Sequence, residues 1–251
     1  MKLSKQKSSF FAVVLLVLCL SLPTSIVNAS RIRTYPNVSH IETNISSNLS
    51  SKILPFKGIY TLELENLDNL NRAQSAHIQL QDKHETTDNR SKINYNPVGW
   101  HNYEMPYGDG TKKAWVMNRG RLIGYQFCGL NDEPKNLVTM TAWLNTGAYS
   151  GGNDSNPEGM LYYENRLDSW LALHPNFWLD YKVTPIYNAN ELLPRQIELQ
   201  YVGIDFSGKL LNIKLNSDKE VIDENGITTV VLENYSSNIN LDYLTGMATL
   251  K

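Results

Sequence analysis

The chain is poor in cysteine. It has two in 251 residues, and only Cys128 remains once the apolar run holding Cys19 is read as a leader. A single cysteine has no intramolecular disulfide partner, which excludes the disulfide-stapled class of small extracellular domains. Stability must come from a hydrophobic core, and about 220 residues suffice for one. Cys128 sits in an apolar, strand-like context with no basic neighbour in sequence to lower its pKa. It reads as a core thiol rather than a reactive nucleophile. The five histidines, His40, His77, His84, His101 and His174, are scattered, and none falls at a metal-ligand spacing such as H-E-x-x-H. C-x-x-C, G-x-x-x-x-G-K-[ST] and G-x-S-x-G are also missing. These absences exclude the common zinc, phosphate-loop and serine-hydrolase classes. There is no internal repeat and no sign of a second domain.

Long hydrophobic runs are missing too. The longest, Phe10 to Leu20, falls short of the about 20 apolar residues that a membrane span needs. Lys2, Lys5 and Lys7 precede it, and Val27-Asn28-Ala29 follows as a small-residue cleavage site. Residues 1–29 therefore read as a signal peptide cut after Ala29, and the protein as secreted and extracellular, with no membrane partner. An uncleaved amino-terminal anchor is the alternative. Residues 30–55 are rich in Ser, Asn and Thr without apolar periodicity, and read as a flexible leader. An excess of positive charge is also lacking. The whole chain carries −2, and loss of three signal lysines leaves 20 basic against 25 acidic residues, or −5. A nucleic-acid partner would have to be met by a local basic groove or through a cation.

What is present begins as alternation. Tyr60, Leu62 and Leu64 alternate with polar residues, as do Ala76, Ile78 and Leu80, and both stretches read as half-buried strands. Residues 93–100 suggest a short strand or ordered loop. Residues 113–127 read as strand, tight turn at Gly120, and strand. Leu137, Met140 and Leu144 then fall at helical spacing, with Gly147 placed to end the helix. A second helix is expected over 158–173, stopping before Pro175. Strands follow at 177–187 and 196–206, then "LLNIKL" and "GITTVVLENY". The class is α+β, an antiparallel sheet with a few helices, as a single domain over 56–251.

Polar residues gather in the middle of this pattern. Asn118, Arg119 and Arg121 flank the expected turn, Asn136 precedes the first helix and Asn145 stands near its end. On the second helix, Met160, Leu167 and Leu171 mark one face, and Glu164 falls in the middle of it. A carboxylate on an apolar face is costly unless paired or bound to a cation. Pairing with an arginine, a mobile helix and cation binding all satisfy that pattern.

Three stretches carry a resemblance: "INYNPVGWHNY", "NRGRLIGYQFCGLNDEPKNLVTMTAWLNTG" and "MLYYENRLDSWL". Over about 58–215 the chain resembles the DNA/RNA non-specific endonucleases, the ββα-metal or His-Me-finger nucleases. Within them it is most similar to the secreted, phage-borne DNases of streptococci. The resemblance implies a ββα motif at about 113–147 and hydrolysis of DNA phosphodiesters without strong sequence preference. RNA remains open as a further substrate. It implies a hydrated Mg²⁺, with Mn²⁺ as a substitute, held by Asn145. Arg119 is implied as a phosphate contact, Glu164 as the residue that orders metal-bound water, and Asn118 and Asn136 as support. A monomer is expected.

One position departs from the family pattern. After Asn-Arg-Gly the family carries a histidine as general base, and here stands Arg121. Imidazole accepts a proton near neutral pH, whereas a guanidinium stays protonated and has no acceptor atom. Loss of a general base removes about 10²–10⁴-fold of rate. The sequence thus implies a strongly impaired endonuclease. The alternative is a catalytically inactive nucleic-acid-binding or effector protein on a nuclease scaffold.

Overall fold

A computed structural model describes residues 52–251. The expected signal peptide, 1–29, and most of the expected leader lie outside those residues. The α+β class holds. The main sheet is antiparallel throughout and is built from β1 (Thr61–Leu64), β2 (Ala76–Leu80), β7 (Trp178–Ile186), β8 (Gln196–Ile204), β11 (Thr228–Glu233) and β10 (Val221–Ile222), in that order. A short β9 (Leu210–Leu211) also pairs with β8. Three hairpin-like pairs stand apart. They are β3 (Glu104–Tyr107) with β4 (Lys112–Trp115), β5 (Met117–Arg121) with β6 (Leu137–Thr141), and β12 (Ile239–Leu241) with β13 (Ala248–Leu250). Helices are few: α1 (Tyr125–Cys128), α2 (Ala142–Thr146) and α3 (Met160–Leu173).

The core lies between one face of the sheet and the layer of α3 and the β5–β6 pair. Ile78, Tyr181 and Leu199 from the sheet belong to the same buried cluster as Leu167 and Leu171 of α3 and Met140 of β6. Full burial of a leucine contributes about 1.5–3 kcal/mol. Leu167 and Leu171 are both fully buried, so they anchor α3 firmly enough for Glu164 to be presented from a fixed helix face.

The other face of β2 was expected to meet solvent and does not. His77 and Gln79 are buried, and His77 Nε2 lies 2.6 Å from Asp180 Oδ1 on β7. The Asp180 carboxylate also accepts from Gln79 Nε2 at 2.9 Å and from the backbone N–H of Leu54 at 3.0 Å. Three donors satisfy a carboxylate that would otherwise be costly to bury. The last residues of the expected leader, 30–55, join this packing: Leu54 is buried and Lys52 pairs with Asp223 at 2.8 Å.

Two further expectations are corrected near the centre of the chain. Gly120 is not a turn; it lies within β5, opposite Val138 in register. A side chain there would put its Cβ 2.2 Å from Met140 Sδ, so the glycine permits close approach between paired strands. The second strand of the pair is 137–141, the stretch whose spacing suggested a helix. All five of its residues are buried, so apolar residues on both faces imitate a helical period, while Val138, Thr139 and Thr141 suit a strand. The segment expected as a strand after Gly120 forms instead a turn and the short α1.

The helix after β6 is only five residues long. Thr141 caps it, its hydroxyl accepting from the Leu144 N–H at 3.1 Å. Gly147, at φ 72°, ends it as expected. The start of α3 is brought against this end by Gly159, where a Cβ would stand 2.5 Å from the Gly147 nitrogen. Two glycines in contact thus set α3 beside α2, and with them Glu164 and Asn145 at one cleft. Glu158 lies just outside α3, contrary to expectation, because its carboxylate accepts from Trp143 Nε1 at 2.8 Å and Tyr235 OH at 2.9 Å.

Candidate active site

A cleft of about 270 Å³ opens where β5, α1, α2 and α3 converge. Arg119 and Arg121 of β5 line it, two residues apart and so on one face of the strand. Asn145 comes from α2 and Glu164 from α3. Asn118 lines an adjoining hollow rather than the cleft, and that hollow shares Arg119 and Asn145 with it.

Each arginine is held in place. Arg119 Nε donates to Asn96 Oδ1 at 2.8 Å, and its guanidinium lies 4.4 Å from the centre of the Trp100 ring. The loop carrying Asn96 is itself fixed by Asp132, whose Oδ1 accepts from the N–H groups of Asn94 and Tyr95 at 3.0 and 2.7 Å. Arg121 donates from Nε to the Leu130 carbonyl at 3.1 Å and from Nη2 to Asn131 Oδ1 at 2.8 Å. Burial, and then the nearby Arg90, push the Arg121 guanidinium's pKa below its ordinary value. Even so lowered, a guanidinium is a donor and not a base.

Glu164 takes the place that a side chain at Gly124 would occupy, since a Cβ there would lie 2.7 Å from Glu164 Oε1. Burial raises its pKa to about 7, against the pull of Arg90, Arg121 and the Gly124 backbone N–H. It is therefore poised between charged and neutral forms at neutral pH. The Asn145 side chain has no hydrogen-bond partner among the described residues. Asn145 thus reaches the cleft wall with an amide uncommitted to other protein groups. One amide oxygen with a carboxylate nearby fits a small hard cation that keeps most of its water, rather than an ion caged by protein alone. No cluster of three His, Cys, Asp or Glu side chains suited to a metal occurs among the described residues.

Asn136 does not line the cleft. Its Oδ1 accepts from the Ile123 N–H at 2.9 Å and its Nδ2 donates to the Ile123 carbonyl at 3.0 Å. With both ends of the amide committed, Asn136 cannot serve a metal directly. It shapes the turn between β5 and α1, which places Gly124 against Glu164.

Sequence reasoning missed two charged residues in the cleft. Arg90, from an irregular loop, lines it and lies 5.5 Å from the Tyr125 ring centre, the same distance as Arg121. No local pattern singles it out. Asp168 lines it one helical turn after Glu164, and that i,i+4 spacing was readable. Glu85 stands beside Asp168, and burial, followed by the nearby Asp168 and Asp82 charges, pushes the Glu85 carboxyl up to about 8. Like charges this close disfavour ionisation of both carboxyls.

The cleft thus concentrates three guanidiniums in a chain of net negative charge. Two of them, Arg90 and Arg121, flank one tyrosine ring, a pairing that a bound anion would offset.

Comparison with known proteins agrees with this geometry. The model of the DNA/RNA non-specific endonuclease family matches residues 57–203. A solved extracellular nuclease is 68% identical, with 80% of this chain and 99% of that one covered and a TM-score of 0.68. An extracellular endonuclease is 67% identical over 86% of this chain and 100% of its own, with a TM-score of 0.69. NucA from Streptococcus agalactiae, solved with magnesium ion bound, is 24% identical over 79% of this chain and 80% of its own, with a TM-score of 0.57, and shares the fold. No curated protein matches the chain. With a family model matching more than half of the chain and a nuclease relative 68% identical over nearly its whole length, the chain belongs to the DNA/RNA non-specific endonucleases.

Proposed function

We propose that the chain carries the site of a secreted, Mg²⁺-dependent DNA endonuclease that acts as a monomer and is strongly impaired by Arg121. The observation that carries this reading is the convergence of Arg119, Arg121, Asn145 and Glu164 on one cleft. Arg90 and Arg119 bind the phosphodiester through charge-assisted hydrogen bonds, which carry no base information and give weak sequence selectivity. Arg121 adds a third phosphate contact but cannot take a proton from water. Asn145 holds the cation through its amide oxygen, and Glu164 in its charged form orients the waters around it. Bound there, Mg²⁺ or Mn²⁺ supplies Lewis-acid stabilisation of charge on the phosphoryl oxygens. The domain runs to residue 251, and the amino-terminal segment directs secretion.

A second reading rests on Arg121 itself. A tethered guanidinium in a cleft with two other arginines favours binding over cleavage, as in an inactive nucleic-acid-binding or effector protein. A plasmid-digestion assay of the chain beside Arg121→His, with and without Mg²⁺, tests both. The endonuclease reading expects Arg121→His to digest DNA at least about 10²-fold faster, with chelator abolishing the gain. No digestion by either version with Mg²⁺ overturns it.

A further inference from the structure

The hollow beside the cleft continues the surface toward the β3–β4 hairpin. It holds about 470 Å³ and shares Arg119 and Asn145 with the cleft. Its far wall is Trp115, the last residue of β4, which remains 51% exposed. A second hollow of about 250 Å³ follows, and Trp115 and Asn118 line both. Lys113 lines this second hollow, and lies two residues from Trp115 on the same face of β4. The cross-strand partner of Trp115 is Glu104, also at this hollow.

An exposed indole costs solvation free energy unless it meets another surface. Its setting here is specific: a cation beside it, and a continuous path to the guanidinium that contacts phosphate. Aromatic rings interleaved with basic side chains are the means by which proteins hold unpaired nucleotides. Every base offers a π-face for stacking, and the cation follows the backbone. Glu104 repels phosphate, so the backbone runs along the Lys113 side and the neutral base meets the ring. In a duplex the base faces are occupied by their own stacking neighbours, so only an unpaired base fits.

We propose that Trp115 is a stacking platform for one unpaired base of the strand whose phosphate occupies the cleft. The inference rests on the reading of the cleft as a phosphodiester site. The test measures binding of the intact chain, in Mg²⁺-free low-salt buffer, to a labelled oligothymidylate and to an abasic oligomer of the same length. The parent is expected to bind the thymidylate about tenfold more tightly, the order that stacking of one base contributes. Trp115→Ala is expected to remove that preference and Trp115→Phe to keep most of it. Arg119→Ala is expected to weaken both oligomers alike. A Trp115→Ala protein that keeps the tenfold preference, while Arg119→Ala weakens both, overturns the platform alone and leaves the indole to some other contact. No binding by the parent, or no effect of Arg119→Ala on either oligomer, overturns the platform together with the cleft reading.

Discussion

Arg121 is tethered to the rim of its own cleft: its Nη2 donates to Asn131 Oδ1 at 2.8 Å, and its Nε reaches the Leu130 carbonyl at 3.1 Å. The residue proposed to stand at the general-base position is thereby also a structural tie between β5 and the loop after α1. Arg121→His should separate the two roles. Mg²⁺-dependent cleavage rises by about 10²–10⁴-fold, while the lost hydrogen bonds cost about 1 kcal/mol of stability. Plasmid nicking rates and denaturant titrations of the same preparations check the pair of outcomes.

Asn145 is expected to matter only when a divalent cation does. In an Arg121→His background, Asn145→Ala should lower the Mg²⁺-dependent rate by at least about 10²-fold, since the cation supplies several kcal/mol of charge stabilisation. Asn145→Asp, which keeps an oxygen ligand and adds charge, should retain more of the rate. Mg²⁺ titrations of the three proteins test this, and equal rates at saturating Mg²⁺ would remove Asn145 from the site.

The Glu85–Asp168 pair predicts a pH-dependent stability. Folding raises the Glu85 carboxyl to about 8, above its ordinary 4.5. The folded chain therefore holds a proton that the unfolded chain releases, and this contribution to stability is fully present below about 4.5. It falls as pH rises and is lost above about 8. Glu85→Gln keeps the shape of the protonated carboxyl without the titration. Melting temperatures of parent and variant should nearly coincide at pH 5 and diverge at pH 9, with the variant the more stable. Parallel profiles across that range would show that folding does not raise the Glu85 carboxyl.

Asn136 should behave as a structural residue. Asn136→Ala leaves the buried N–H and carbonyl of Ile123 without their partner and should cost about 1–3 kcal/mol. Because the same turn sets Gly124 against Glu164, the nuclease activity of the Arg121→His protein should fall with it. Affinity for Mg²⁺ should fall less than in Asn145→Ala. Loss of metal affinity without loss of stability would return Asn136 to the metal's surroundings.

Much of the candidate site was legible along the chain. Arg119, Arg121, Asn145 and Glu164 each stood out by residue type and local position, and all four line one cleft. Glu164 was visible because a carboxylate interrupts an apolar helix face, and Gly147 because a left-handed helix end favours glycine. Arg121 was legible as a departure, because a guanidinium differs from an imidazole in any setting. The stretch 137–141 was misread, since burial of both faces of a strand erases the alternation that identifies one. Gly120 was misread for a related reason. Its need for space comes from Met140, twenty residues away, and not from a turn in its own backbone.

The amino-acid sequence by itself determined which groups can donate, accept, titrate or bury, because those properties belong to each side chain wherever it sits. Tertiary structure alone decided which of them meet. Arg90 enters the cleft from an irregular loop, Glu85 stands beside a carboxyl on α3, and Trp115 borders the same surface as Asn145. Such proximity depends on the pairing of distant strands and the contact of two glycines between helices, and no local period in the sequence encodes it.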